Sequence, residues 1–181
     1  MKKTYNTILV GVFIALAACS SNQLNEKTEV SECQENLPFA QVAITQALKT
    51  DSATDSQTER LLWAYDESTK TLSFMHDNLC NTCGKDWEYS LSLTKDEKGY
   101  SLVSLAKDTS KDSAKCWYCF YDLKTSVIIE EEQFINLTFI KKMESFDDDN
   151  KGEKKIWSGK IELAQKAGQI FISDNMKCII K

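Results

Sequence analysis

The sequence predicts an all-β fold, a β-sandwich or barrel of about eight strands. Three observations lead there. Apolar and polar residues alternate over short runs, as in Trp87-Glu88-Tyr89-Ser90-Leu91-Ser92-Leu93, the period-two pattern of a half-buried strand. Polar, turn-forming clusters interrupt these runs roughly every 8–12 residues. The runs are also rich in aromatic and branched side chains, which suit a pleated surface.

Taken in order, residues 20–32 (SSNQLNEKTEVSE) are polar and aperiodic and read as a tether. Residues 33–51 (CQENLPFAQVAITQALKTD) have helical character and predict a short N-terminal helix that can bury Val42, Ile44 and Leu48. The stretch from Gln41 to Ala47 also alternates as a strand would. Residues 50–59 predict a solvated loop. Leu61–Tyr65 and Thr71–Met75 flank a polar turn and predict a hairpin. Residues 87–93 and 100–105 predict a second hairpin, with Gly99 in its turn able to take positive φ. Further strands are predicted at 116–129, 133–140, 155–163 and 169–173, and the tail KCIIK is apolar enough for one more. No Pro-, Gly- or Ser-rich linker divides the chain, so residues 33–181 are expected to form one domain.

The N-terminus carries a different kind of signal. MKKTYNTILVGVFIALAAC places Lys2 and Lys3 before an apolar run from Ile8 to Ala18. A cationic start, a short apolar core and small residues at the end are the layout of a signal peptide, and the core is shorter than the roughly 20 residues that span a bilayer. The end of the run, Leu16-Ala17-Ala18-Cys19, resembles the lipobox of bacterial lipoproteins. The resemblance implies cleavage after residue 18, diacylglycerol and further acyl chains on Cys19, and a membrane attachment made by lipid. Ser20, rather than an aspartate, follows Cys19, which in lipoprotein sorting implies the outer membrane, facing periplasm or cell surface. The expected parts are therefore a signal peptide (1–18), a tether (19–32) and a folded domain (33–181).

Charge narrows the partners. Removing Lys2 and Lys3 with the signal peptide leaves 20 basic against 27 acidic residues, a formal charge of −7. An acidic surface disfavours nucleic acid, whose phosphates need Lys and Arg.

The chain has seven cysteines. With Cys19 acylated, six remain: Cys33, Cys80, Cys83, Cys116, Cys119 and Cys178. Export to an oxidising compartment favours disulfides, and six cysteines allow 15 pairings that sequence cannot separate. Cys33 and Cys178 lie near the two ends of the predicted domain, and a bridge between them would close a long loop. Two CxxC pairs, Cys80-Asn-Thr-Cys83 and Cys116-Trp-Tyr-Cys119, carry an alternative: four thiolates for tetrahedral zinc, with His76 as a further ligand candidate. A third reading is an envelope thiol–disulfide enzyme, but neither pair sits in the βαβ setting that a thiol of that kind uses.

His76 is the only histidine. It falls at the end of a predicted strand, where a structural role is expected ahead of a Cys–His nucleophile pair. Asp147-Asp-Asp-Asn-Lys-Gly152 has the outline of a calcium loop, but Lys151 and Ser158 occupy positions 5 and 12, where oxygen ligands are needed; a charged hairpin tip over 147–155 is expected instead. Ser104-Leu-Ala-Lys107 has the form of a penicillin-recognising motif, yet Ser92-Leu-Thr-Lys95 matches as well and no KTG accompanies either. Glu130–Glu132 is expected to guard a strand end against edge pairing. The aromatic residues Trp63, Trp87, Trp117, Tyr118, Phe120, Tyr121 and Trp157 are expected mostly in the core.

The run Leu72-Ser-Phe-Met-His-Asp-Asn-Leu-Cys80, followed by Cys116-Trp-Tyr-Cys-Phe-Tyr-Asp-Leu123, is similar to a pattern in small bacterial lipoproteins. Those carry H-x-N near a cysteine and clustered cysteines before Asp-Leu, although their clustered cysteines alternate whereas these are three apart. The resemblance implies an immunoglobulin-like sandwich and no particular activity. The resulting expectation is a lipid-anchored, non-catalytic envelope module for an unspecified protein or small ligand, with zinc binding and thiol–disulfide chemistry as alternatives.

Overall fold

A computed structural model describes residues 24, 27–32, 58–82, 87–109, 118–144 and 152–172. Alternation produces nine strands among them: β1 (Glu29–Val30), β2 (Arg60–Asp66), β3 (Thr71–Thr82), β4 (Trp87–Asp96), β5 (Gly99–Asp108), β6 (Tyr118–Ile128), β7 (Phe134–Glu144), β8 (Gly152–Glu162) and β9 (Ala167–Phe171). They form two sheets, ordered β1-β6-β3-β2-β9 and β4-β5-β7-β8, packed face to face. The all-β sandwich expected from the sequence is the observed architecture.

The two predicted hairpins are present, and their turns show why. Asp66 Oδ1 accepts from the Ser68 amide at 2.8 Å and its hydroxyl at 2.6 Å, closing the β2–β3 turn. Asp96 Oδ1 accepts from the amides of Lys98 (2.7 Å) and Gly99 (3.1 Å) to close β4–β5. Such Asx turns bend the chain with a side chain in the place of a backbone carbonyl. Gly99 has φ +135°, and a Cβ there would sit 2.5 Å from the Asn136 carbonyl oxygen, so glycine is required twice over. After β5 the chain crosses to the other sheet for β6 and returns as β7, which therefore lies parallel to β5. The remaining strand pairs are antiparallel.

Register decides the core. Leu61, Trp63, Leu72, Phe74, Leu123 and Val127 face inward from one sheet; Leu91, Leu93, Leu102, Leu137, Phe139 and Ile161 meet them from the other. Burying each such side chain contributes about 1.5–3 kcal/mol. Trp63 lies flat over Gly168 of β9, where an added Cβ would come within 2.5 Å of the indole nitrogen. On the opposite face of the first sheet, Leu62 and Met75 form a second, smaller buried pair.

Several expectations need correction. The tether does not run free to residue 32. Thr28, Glu29, Val30 and Ser31 dock on the sandwich along the outer edges of β4 and β6, where backbone groups of an edge strand take hydrogen-bond partners. β3 extends through Thr82, so His76 lies mid-strand rather than at its end. Gly152–Lys155, expected in a hairpin tip, already belongs to β8. The predicted helix, the apolar tail and Cys19, Cys33, Cys83, Cys116 and Cys178 lie outside the described residues.

Candidate functional site

The strands that build the apolar core also place polar side chains in it. Leu72, Phe74 and His76 share the inward face of β3; Tyr100, Leu102 and Ser104 that of β5; Leu137, Phe139 and Lys141 that of β7. His76 thus projects from one sheet onto the other. Its Nδ1 is 2.7 Å from Ser104 Oγ and its Nε2 is 2.6 Å from Glu59 Oε1, just ahead of β2. Lys141 Nζ donates to both Glu59 oxygens, at 2.7 and 2.9 Å. The His76 ring meets Phe139 edge-on, with centroids 5.3 Å apart. His76 is 0 % exposed, Ser104 1 % and Lys141 5 %.

The electrostatics are those of a closed network. Burial alone would raise the Glu59 pKa, but the His76 hydrogen bond and the charges of His76 and Lys141 outweigh it and hold the carboxyl below its ordinary value. With Glu59 ionised, Nε2 carries a proton toward it. Nδ1 accepts from the Ser104 hydroxyl when the ring is neutral and donates to it when the ring is charged.

Serine, histidine and carboxylate in line have the order of a nucleophile relay. Three features make this one a structural tie between the sheets. Ser104 is sealed from substrate. It lies on β5, an inner strand flanked by β4 and β7, where the backbone pairs with a neighbouring strand on both sides rather than opening onto an oxyanion site. Glu59 is neutralised by Lys141, which weakens its support of an imidazolium.

A second polar group lies on the outer face of the same sheet. Between His76 and Leu79 the β3–β6 register shifts, with Asp77 and Asn78 opposite Asp122. This is a β-bulge, and Asn78 takes the left-handed conformation (φ 60°) that it needs. Arg60 Nε donates to Asp77 Oδ2 at 2.8 Å, and its Nη2 donates to the same oxygen. The Asn78 amide donates to Asp122 Oδ1 at 3.3 Å, while Asn78 Nδ2 donates to the Thr58 carbonyl at 3.2 Å. Burial and the adjacent Asp77 charge push the Asp122 carboxyl up to about 7.

Of the six disulfide candidates, Cys80 and Cys119 are described, and each is disulfide-bonded. Cys80 pairs in register with Phe120, and Cys119 with Asn81. Neighbouring positions point to opposite faces, so Cys80 and Cys119 face away from each other. Cys119 is fully buried. Neither sulfur is a free thiolate, and His76 spends both ring nitrogens on Glu59 and Ser104. Of the zinc alternative, Cys83 and Cys116 lie outside the described residues; among the described residues no His/Cys/Asp/Glu group is arranged to hold a metal. Glu132, expected only to guard an edge, accepts from Lys95 Nζ at 2.5 Å and from Tyr100 Oη at 2.7 Å. Trp63 and Tyr121 are core residues, while Trp87 stacks on Tyr89, which contacts Tyr121 across the sheets at 4.6 Å.

Sequence reasoning misses Glu59 and Lys141, and it meets Asp122 only as part of the Asp-Leu of the lipoprotein resemblance. Lys141 had a signal: it continues the apolar alternation Ile135, Leu137, Phe139, so it had to point inward. Glu59 had none, and the resemblance that includes Asp122 implies no role for it, since both roles arise from chain crossings. Comparison with protein-family models, curated proteins and solved structures gives no match.

Proposed function

We propose that this chain is a lipid-anchored, non-catalytic binding or accessory module of a bacterial cell envelope, held at the outer membrane through Cys19. The observation that carries the proposal is the sequence Leu16-Ala17-Ala18-Cys19 closing a short apolar run behind two lysines. The sealed Ser104–His76–Glu59 chain supports it, because the one histidine of the protein serves cohesion between sheets. The cysteines other than Cys19 act as a disulfide framework suited to an exported domain. Lipid supplies the attachment and the sandwich supplies the surface that a protein or small ligand meets.

Metabolic labelling tests the proposal. Cells expressing the full chain are fed an alkyne fatty acid, and membrane and soluble fractions are compared for wild type and Cys19→Ser. The reading predicts label and membrane sedimentation with wild type, and loss of both with Cys19→Ser. Unlabelled wild-type protein in the soluble fraction contradicts it.

A further inference from the structure

The described N-terminal residues run along an edge of each sheet. The Leu24 amide donates to the Leu93 carbonyl at 2.9 Å, and Thr28 exchanges hydrogen bonds with Leu91 through its hydroxyl, both on the outer edge of β4. Glu29 and Val30 then pair with Lys124 and Leu123 on the outer edge of β6. The Ser31 amide donates to the Asp122 carbonyl at 3.0 Å, and the Asp122 amide donates to Ser31 Oγ at 2.9 Å. One strap thus closes an open side of the sandwich by joining an edge of each sheet.

Its direction matters. From Thr28 back to Leu24 the chain moves from Leu91 to Leu93, toward the β4–β5 turn at Asp96–Gly99. That end of the sandwich also holds the β2–β3 turn, the 129–133 connection and the Leu163–Gln165 turn. Bonds from Ile129 to Lys70 and from Leu163 to Gln133 tie these together. The opposite end carries Cys80 and Cys119.

Only five residue steps separate Cys19 from Leu24. A fully extended chain covers at most about 18 Å in that distance, against roughly 50 Å for the 14 steps of a tether ending at Cys33. We infer that the strap converts a long leash into a short one and stands the sandwich on the bilayer by its short-turn end, presenting the cysteine-bearing end outward to partners. The surface that meets the membrane is the group of turns around Lys98, Lys70 and Glu130. This inference rests on the acylation of Cys19 proposed above.

Energy transfer to lipid tests it. The acylated full-length product, carrying a fluorophore on a non-canonical amino acid at Lys98 or Lys107, is reconstituted into phosphatidylethanolamine–phosphatidylglycerol vesicles with an acceptor-labelled headgroup. Both sites are exposed, and nine residues of strand place them roughly 30 Å apart. Transfer is expected to be stronger at 98 than at 107. Inserting five Gly-Ser pairs between Asn22 and Gln23 adds about 18 Å of mean reach and is expected to remove that excess without touching the fold. Equal transfer at both sites of an acylated chain, as for a sandwich lying on its side, overturns the orientation and leaves the anchor standing. A missing acyl mass on residues 19–27, with no transfer from either site, overturns the anchor and the orientation with it.

Discussion

Replacing Glu59 with glutamine perturbs the inter-sheet network with the least change of shape. The new side-chain amide retains an oxygen where Glu59 Oε1 lies 2.6 Å from His76 Nε2, so that hydrogen bond survives. The charge that balances Lys141 is lost, and Lys141 is 5 % exposed with its ammonium directed at both carboxylate oxygens. Removing one partner of a buried ion pair costs on the order of 3–5 kcal/mol, because the other charge is stranded. For a domain of this size that corresponds to a fall in Tm of roughly 10 °C. Glu59→Gln combined with Lys141→Met removes the stranded charge and should be more stable than Glu59→Gln alone. Urea unfolding of the oxidised protein, followed by tryptophan fluorescence at pH 7, measures both. A Glu59→Gln variant within about 0.5 kcal/mol of wild type, the range of ordinary surface substitutions, would refute the reasoning, as would a double variant weaker than the single.

Four other outcomes are expected. Because the folded pKa of Asp122 is raised, the native state holds a proton that the unfolded chain releases. This contribution is present at pH 4 and is lost as pH rises to about 7, so Asp122→Asn should stabilise the protein at pH 8 and change little at pH 4. Glu59 has the opposite sign: its folded pKa is depressed, so its contribution is present above its unfolded value of 4.5 and is lost as pH falls below it. A pH series of urea midpoints reads both limbs. Gly168→Ala forces a methyl into the Trp63 indole and should cost about 1–3 kcal/mol, with a shift in tryptophan emission. Reduction of the bridges at Cys80 and Cys119 should cost about 2–5 kcal/mol, seen as a lower Tm in dithiothreitol.

Most of the fold was legible because strand alternation is local. Leu91 and Leu93 had to share a face wherever β4 ended up, and Asp96 with Gly99 had to turn. What stayed illegible was set by partners distant in sequence. Ser31 reaches Asp122, 91 residues away, and Lys141 reaches Glu59, 82 residues away. A polar stretch such as 27–32 reads as a tether until a strand edge is found for it. His76 was visible as a singular residue, yet its burial follows only from the inward register it shares with Phe74. For the site, the sequence supplied Cys19 and the cysteine count, while the pairing of histidine with Glu59 and Ser104 came from the packing of two sheets.

The most direct test of the lipid anchor is the mass of the N-terminal tryptic peptide, residues 19–27, from protein purified from bacterial membranes. The expected peptide begins at Cys19 and carries a diacylglyceryl group. A chain that retains Met1, is cleaved elsewhere, or bears an unmodified Cys19 would contradict the anchor.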